Sequence, residues 1–167
     1  MRFAGIWKGD FLKIIFLDID GVLNCQYSRS RCSGVIGIDD KKVKYLHEII
    51  KRTKARIVLT STWKSGWDRN TELQDEFGKY LTRKLKRQGI FVYDKTNDNG
   101  HDRGLGIINW LSGKNIDSWI VVDDEVFEDY EKYDIMSHLV KTSFYDTNGG
   151  LTQRHVDMAI EKLNLEG

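Results

Sequence analysis

The chain has 167 residues, which is enough for one domain with a substantial buried core. Hydrophobic residues make up 40% and charged residues 31% of the chain, ordinary values for a globular protein that exclude an intrinsically disordered one. The formal net charge of +1 gives no global attraction to nucleic acid or membranes, although it leaves room for a local basic patch.

Apolar runs that favour β-strands alternate along the chain with segments of helical periodicity. The predicted strands, in chain order, cover residues 11–19 (FLKIIFLDI), 56–59 (RIVL), 90–93 (IFVY), 119–122 (WIVV) and 139–141. The predicted helices cover residues 40–53, 72–87 and 103–111 and a last segment that begins after Thr152.

The alternation of strands and helices predicts a parallel sheet with helices on both faces, a Rossmann-like three-layer α/β/α fold. The strands are short and apolar without clean alternation, as expected for strands buried on both faces. In the helix over 72–87, the side chains expected to face the core are Leu73, Phe77, Tyr80, Leu81 and Leu85. No repeat or linker interrupts the sequence, so one domain is predicted over 1–167.

Ligands of such sheets bind beyond the carboxyl ends of the strands, so the residues that follow each strand are candidates for a site. These residues are Asp18, Asp20, Asn24, Thr60, Ser61, Thr62, Asp94, Asp123 and Asp124. The four aspartates that follow the first and fourth strands converge if those strands are neighbours. Converging carboxylates repel one another unless a hard cation joins them, and Mg²⁺ prefers oxygen ligands. The pattern therefore predicts a magnesium site that suits a phosphate substrate.

The segment LDIDGVLN over 17–24 resembles the first motif of the haloacid dehalogenase (HAD) superfamily. In that superfamily the first Asp attacks phosphorus and becomes an aspartyl phosphate. The second Asp protonates the leaving oxygen and later activates water, and the Gly permits the tight turn that brings both over the metal. The resemblance implies these roles for Asp18, Asp20 and Gly21, with metal ligation by Asp18 and by the main-chain carbonyl of Asp20.

The other HAD motifs have counterparts further along the chain. The second motif is a strand that ends in Ser or Thr and holds the phosphoryl group; Ser61 is the first choice, with Thr60 and Thr62 as close alternatives. The third motif is a cation near the start of a helix, for which Arg103 is the best match. The fourth is an acidic strand end that holds Mg²⁺, here Asp123 and Asp124, either of which could be the direct ligand.

Within the superfamily, the chain is similar to the HAD domains of Swiss army knife RNA repair proteins. The matching segments are DIDGVLN, TSTWK, RGLGIINWL, VVDDE and the GLT before the last helix. The resemblance implies a HAD-like core and a Mg²⁺-dependent phosphohydrolase that acts on terminal phosphates of nucleic acids or nucleotides. The alternatives are a general phosphatase of small metabolites or nucleotides and a non-catalytic binding module with the same fold.

Several side chains near the motifs are predicted to contact the substrate. The phosphate-binding set is Gly21, Asn24, Thr60, Thr62 and Lys64. The ring of Trp63 could stack a base, the alternative being that Trp63 is a core residue and Lys64 is solvated. The segments between the motifs are too short for a cap domain, so a minimal or absent cap and an open site are expected. The basic run over 79–89 is predicted to be a solvated helix face, or else a contact for a phosphate backbone.

The remaining features concern the compartment. The segment over 1–10 has no long apolar core and no small-residue cleavage pattern, so no signal peptide is predicted. Cys25 and Cys32 are too few for a disulfide framework or a zinc site and are expected to be reduced thiols. We therefore expect a cytoplasmic protein with no membrane association, and no obligate protein partner is evident.

Overall fold

The computed structural model describes residues 12–165. The strands are β1 (Leu12–Leu17), β2 (Arg31–Cys32), β3 (Val35–Ile36), β4 (Arg56–Leu59), β5 (Val92–Lys95), β6 (Ile116–Asp123) and β7 (Leu139–Lys141). The α-helices are α1 (Asp40–Thr53), α2 (Glu76–Lys86), α3 (Arg103–Leu111) and α4 (Gln153–Asn164). Short 3₁₀ helices cover Thr62–Gly66, Thr71–Leu73 and Met136–His138.

Five strands form one parallel sheet in the order β5-β4-β1-β6-β7. The central strand β1 pairs with both β4 and β6, and Phe16 lies opposite Val58 and Val121. Because β1 has a neighbour on each side and its last four residues are buried, it occupies the middle of the molecule. This arrangement confirms the predicted Rossmann-like α/β fold.

Successive residues of β1 contribute to different hydrophobic cores, one on each face of the sheet. Ile15 and Leu17 lie in the larger core, which contains the apolar faces of α1, α2 and α4. Ile14 and Phe16 lie in the smaller core, which α3 and the segment between β6 and β7 cover. The sheet is therefore sandwiched between two layers and is supported from both sides where its strands end.

The helix predicted over 72–87 is shorter than expected because Asp75 ends the preceding turn and caps a new helix. The carboxylate of Asp75 accepts hydrogen bonds from the backbone N–H groups of Phe77 and Gly78 at 2.9 and 3.0 Å. Leu73 consequently lies in a separate 3₁₀ turn and is 69% exposed, so its predicted place in the core was wrong.

The strand bounds also differ in places. The third predicted strand, β5, begins at Val92 instead of Ile90. The backbone N–H of Ile90 donates to the carbonyl of Leu85 and closes the end of α2. The first strand ends at Leu17, and the predicted position 11 lies outside the described residues. A small antiparallel hairpin of β2 and β3 was not predicted, since two-residue strands are too short to give a periodic signal.

The structure bears on the expected state of the two cysteines and on the expected lack of membrane association. Cys25 and Cys32 are both buried free thiols. Within residues 12–165, none of the helices combines the length and the apolar character needed to cross a bilayer. The cytoplasmic location stays a prediction.

The packing of Phe16 in the smaller core allows a prediction of its contribution to the free energy of unfolding. This side chain is fully buried and packs edge-on against Trp110 and Trp119, with ring centroids 5.5 and 5.9 Å away. We expect Phe16→Ala to lower the free energy of unfolding by about 3–5 kcal/mol, because it removes transfer energy and leaves a cavity. Phe91→Ala is the control, since that ring is 67% exposed and its loss should change stability by less than about 0.5 kcal/mol. Urea unfolding of both variants measures the difference, and similar losses would contradict the assignment of the core.

Candidate active site

The carboxyl ends of β1, β4 and β6 meet at one edge of the sheet, and the backbone pairing continues just past them. The N–H of Asp18 donates to Val122 and the N–H of Thr60 donates to Leu17, both at 3.0 Å. The pairing of β1 with β6 brings Asp18 beside Asp123, the last residue of β6. The condition set by the sequence, that the two acidic strand ends be neighbours, is met.

Three carboxyl groups converge at this edge. One oxygen each from Asp18, Asp123 and Asp124 lies within 4.8 Å of the other two, and Asp18 and Asp123 are buried. Burial raises the pKa of Asp18 well above its ordinary value, the neighbouring Asp123 raises it further, and Arg103 opposes both effects. Burial and Asp123 raise the pKa of Asp124 to about 6. The cluster therefore holds more negative charge than its surroundings stabilise.

Arg103, at the start of α3, is the cation that partly compensates this charge. Its Nη1 lies 2.8 Å from Asp123 Oδ2 and 3.3 Å from Asp18 Oδ1. Burial acts to lower the pKa of Arg103, but the two aspartates raise it above the ordinary value, so the guanidinium stays charged. Its Cζ lies 4.3 Å from the ring centroid of Phe127, and its Nε has no hydrogen-bond partner among residues 12–165. The residue predicted for the third motif thus sits between two of the predicted acids.

The structure distinguishes Asp123 from Asp124, which the sequence left open. Asp123 is fully buried and its oxygens are occupied: Oδ2 bonds to Arg103 and accepts from the hydroxyl of Tyr130 at 3.3 Å, and Oδ1 accepts from the backbone N–H of Glu125 at 3.0 Å. Asp124 is half-buried and lines a cavity. Asp124 is therefore the more accessible carboxylate of the pair, while all three aspartates remain candidate ligands and the choice of the direct ligand stays a prediction.

The carboxylate of Asp20 is held by two donors. Asn24 Nδ2 donates to Oδ1 at 2.9 Å and Trp63 Nε1 donates to Oδ2 at 3.1 Å. Asn24 also accepts from the N–H of Gly21 at 2.8 Å and donates to the carbonyl of Gly37 at 2.8 Å. Both amide hydrogens of Asn24 are thus bonded inside the protein, where they position the loop after β1, and its contact with phosphate stays a prediction.

Trp63, for which the sequence left a stacking role and a core role open, packs among core residues. The side chain is buried in the larger core, edge-on to Phe77 with centroids 5.4 Å apart, and its indole N–H is committed to Asp20. These contacts agree with the alternative interpretation of Trp63 as a core residue, and because its side chain also borders the cavity, a stacking role stays a prediction.

Gly21 is needed for backbone geometry and for space. Its φ of +81° favours glycine, and a Cβ at this position would lie 2.3 Å from Asp124 Cγ. Its N–H donates to the side-chain oxygen of Asn24, and the predicted phosphate contact of Gly21 stays a prediction. A glycine here lets the loop after β1 approach the acidic end of β6.

Thr60, Ser61 and Thr62 differ in their surroundings. Thr60 Oγ1 is buried and has no hydrogen-bond partner within the described part of the chain. Ser61 Oγ accepts from the N–H of Trp63 at 3.2 Å and so caps the 3₁₀ helix that follows, which leaves its own proton free to donate. Thr62 is exposed and lines the cavity. The choice among the three for the second motif stays a prediction.

Lys64 is not directed at the acidic cluster. Its ammonium forms an ion pair with the buried carboxylate of Asp98 and hydrogen bonds to Thr96 Oγ1 at 3.1 Å and the carbonyl of Thr60 at 3.4 Å. A partner 34 residues away in sequence thus neutralises the charge of Lys64 in this structure, and the expected phosphate contact stays a prediction. Lys64 ties the segment after β4 to the loop that leads into α3.

A cavity of about 780 Å³ opens above the carboxyl ends of the strands. The lining contains Asp18, Asp20, Thr62, Arg103 and Asp124 from the predicted set. The hairpin of β2 and β3 also reaches the cavity, through Val35 and Ile36. These observations agree with the expectation of a small insertion in place of a cap.

Sequence reasoning missed two residues that hold the site. Asp129 accepts from the backbone N–H groups of Gly104 and Leu105 at 3.0 and 2.8 Å, which fixes the first turn of α3 and so the position of Arg103. Tyr130 bonds to Asp123 from the smaller core. The only signal was the acidic run DDEVFED, which marks no individual residue.

The donor set fits a hard divalent cation. All candidate ligand atoms are oxygens, which Mg²⁺ prefers, and the raised pKa values of Asp18 and Asp124 record the repulsion that such a cation would relieve. Asp20 contributes no carboxylate to the convergent group, so its ligand would be the main-chain carbonyl, as the sequence predicted.

Comparison with protein families places the chain in a described family. A family described as the HAD domain in Swiss Army Knife RNA repair proteins matches residues 14–156, most of the chain. The comparisons with curated proteins and with solved structures gave no match.

The raised pKa values predict how stability depends on pH and metal. Folded-state pKa values above the ordinary 3.8 mean that Asp18 and Asp124 bind more protons in the metal-free folded protein than in the unfolded chain, so the contribution of these two groups to stability falls as the pH rises from about 4 through about 6. Cations bind the ionised carboxylates, so we expect Mg²⁺ to raise the unfolding temperature more at about pH 7.5 than at about pH 5. Thermal unfolding with and without Mg²⁺ measures this.

Two variants control the metal experiment. Asp124→Asn should remove most of the Mg²⁺-dependent shift, whereas Asp117→Asn, at an exposed position outside the cluster, should retain it. An equal shift at both pH values, or a full shift in Asp124→Asn, would exclude this cluster as the metal site.

Proposed function

Because the chain belongs to the family of HAD domains in Swiss Army Knife RNA repair proteins, we propose that it is a Mg²⁺-dependent phosphohydrolase that works through an aspartyl phosphate on Asp18. The family supports phosphohydrolase activity in general. The metal, the nucleophile and the substrate are our proposals, and they rest on the chemistry of the site.

One observation carries the proposal: Asp18, Asp123 and Asp124 converge beside the guanidinium of Arg103, and Asp18, Asp124 and Arg103 line the cavity. A phosphate monoester brings further negative charge, which this site could accept only with additional positive charge. Asp18, Asp124 and the carbonyl of Asp20 would hold Mg²⁺, which when bound would neutralise the carboxylates and the phosphate oxygens.

In the first step, a carboxylate oxygen of Asp18 attacks phosphorus and the bond between phosphorus and the leaving oxygen breaks. Arg103 favours ionised Asp18, because its Nη1 lies 3.3 Å from the carboxylate and lowers the pKa that burial raises. The same guanidinium, with Nε unpaired among the described residues, is available to an equatorial oxygen of the phosphoryl group. Asp123 and Asp129 act by positioning: one bonds to the guanidinium and the other to the start of its helix.

Asp20 is the proposed general acid and base. In the first half-reaction it gives its proton to the leaving alcohol, and in the second it accepts a proton from the water that attacks the aspartyl phosphate and releases phosphate. Its carboxylate lines the cavity, and the bonds from Asn24 and Trp63 fix its orientation. A carboxylate held by two donors keeps one geometry through both steps.

Hydroxyl groups after β4 complete the phosphate site in this proposal. Ser61 keeps its proton available to a phosphoryl oxygen, and Thr62 lines the cavity. These groups donate without adding negative charge to an already acidic site.

The proposed substrate is a terminal phosphate on a nucleic acid or nucleotide. Two observations support it: the cavity carries only a short hairpin where a cap domain would close it, and the family is named for domains of RNA repair proteins. The principal alternative is a general phosphatase of small metabolites. A non-catalytic module is disfavoured, since an acid or base of suitable type occupies each proposed catalytic position.

The nucleophile gives the most direct test. We expect Asp18→Asn to abolish turnover of any substrate that the wild type cleaves, because an amide cannot attack phosphorus. Steady-state hydrolysis with Mg²⁺ is the measurement. Asp117→Asn serves as the matched control at an exposed position and should retain full activity. Hydrolysis by Asp18→Asn at the wild-type rate would contradict the proposed mechanism.

Substrate size is tested separately. We expect kcat/KM with Mg²⁺ to be higher for a phosphate-ended oligonucleotide than for a sugar phosphate at the same ionic strength. The near-neutral net charge means that binding is local and weakened by salt. If the sugar phosphate is preferred by about tenfold, or about 1.4 kcal/mol of transition-state binding, the general phosphatase alternative is correct.

A further inference from the structure

The cavity above the acidic cluster has an apolar outer wall that the proposed chemistry does not use. The wall is formed by Val35 and Ile36 from β3, Phe127 from the segment after β6, and Phe144 and Tyr145 from the loop after β7. Tyr145 is 73% exposed and Val35 is also exposed, although both border the catalytic cavity. Such exposure of apolar surface beside a catalytic floor is a feature of ligand sites.

The loop that carries Phe144 and Tyr145 is fixed in place by Gln26. The backbone N–H of Gln26 donates to the carbonyl of Phe144 at 3.0 Å, and its side-chain amide donates to the carbonyl of Tyr145 at 2.7 Å. The rings of Phe144 and Tyr145 are edge-on, with centroids 5.1 Å apart. An exposed ring on an anchored loop binds a planar ligand at a low entropic cost, because the ligand does not have to order the loop.

The charges on the cavity wall limit which planar ligand fits. Asp20, Asp75 and Glu125 add three further carboxyl groups to those of the acidic cluster. Arg103, the one cation among the described residues of the lining, is already paired with Asp18 and Asp123. A negative charge placed against this wall would meet these carboxylates without compensation, so any further phosphates of an oligonucleotide would have to lie outside the cavity. The wall therefore suits a part of the leaving group that is uncharged and aromatic.

We propose that Phe144 and Tyr145 form a stacking surface for the nucleobase of the nucleoside that carries the phosphate. The proposal rests on the proposed function, because it concerns the leaving group of the same reaction. A nucleoside meets both requirements of the wall: its base is planar and uncharged, and its sugar separates the base from the phosphate at the floor. Phe144 and Tyr145 thus determine specificity and take no part in the chemistry.

Equilibrium binding to the full wild-type chain tests this surface without relying on turnover. The probes are a nucleoside methylenephosphonate and glycerol methylenephosphonate, in which a P–C bond replaces the cleavable P–O bond. Each probe is titrated into the protein in the presence of Mg²⁺, and the dissociation constant is measured by calorimetry. We expect Tyr145→Ala to weaken binding of the nucleoside probe by about tenfold, since aromatic stacking of a base contributes on this scale, and to leave binding of the glycerol probe unchanged.

Two further variants separate stacking from a structural effect. Tyr145→Phe retains the ring and should bind both probes as the wild type does. Phe91→Ala removes an aromatic ring of similar exposure, 67%, outside the cavity and should also have no effect.

The opposite results would overturn the proposal. Unchanged binding of the nucleoside probe in Tyr145→Ala means that the ring does not stack a base, and equal weakening of both probes means that the loop only supports the phosphate site. Neither result bears on the nucleophile, whose failure would appear as turnover by Asp18→Asn.

Discussion

The contact on which this site depends is between Arg103 and two buried carboxylates. Asp18 and Asp123 would repel each other at the ends of adjacent strands without a positive charge between them, and one guanidinium nitrogen lies within 3.3 Å of both. The position of Arg103 depends in turn on the first turn of α3, which Asp129 caps. Three carboxyl groups beside one guanidinium leave a negative charge that is only partly compensated. This remaining charge is what suits the cluster to a metal ion.

The sheet supplies the rigidity that this arrangement needs. β1 is paired on both sides and packed on both faces, so the residue that follows it has little freedom to move. Buried internal polar bonds extend this order beyond the strands, as in the network through Asn24 that joins Gly21, Asp20 and Gly37. The side chains that would perform chemistry are therefore oriented before any ligand binds.

Sequence patterns predicted the acidic cluster on one condition, because the residues that follow buried parallel strands meet at one edge of the sheet only where the strands are neighbours. The strand order, which places β6 beside β1, came from the structure. The partners of Lys64 and Asn24 were not predictable, since each bond joins residues whose proximity depends on the loops. The bounds of α2 were missed because the periodicity of apolar residues continued into Leu73, where the cap at Asp75 decides the outcome.

The hairpin of β2 and β3 is a place where evolution could change the range of substrates. The hairpin forms its own two-stranded sheet, and its turn at Ser33 and Gly34 has positive φ at both residues. A Cβ at Gly34 would meet no described atom within 4 Å. Lengthening the chain at this turn costs mainly loop entropy, which grows slowly with length. New recognition elements could therefore be inserted beside the cavity while the sheet and its acidic edge stay unchanged.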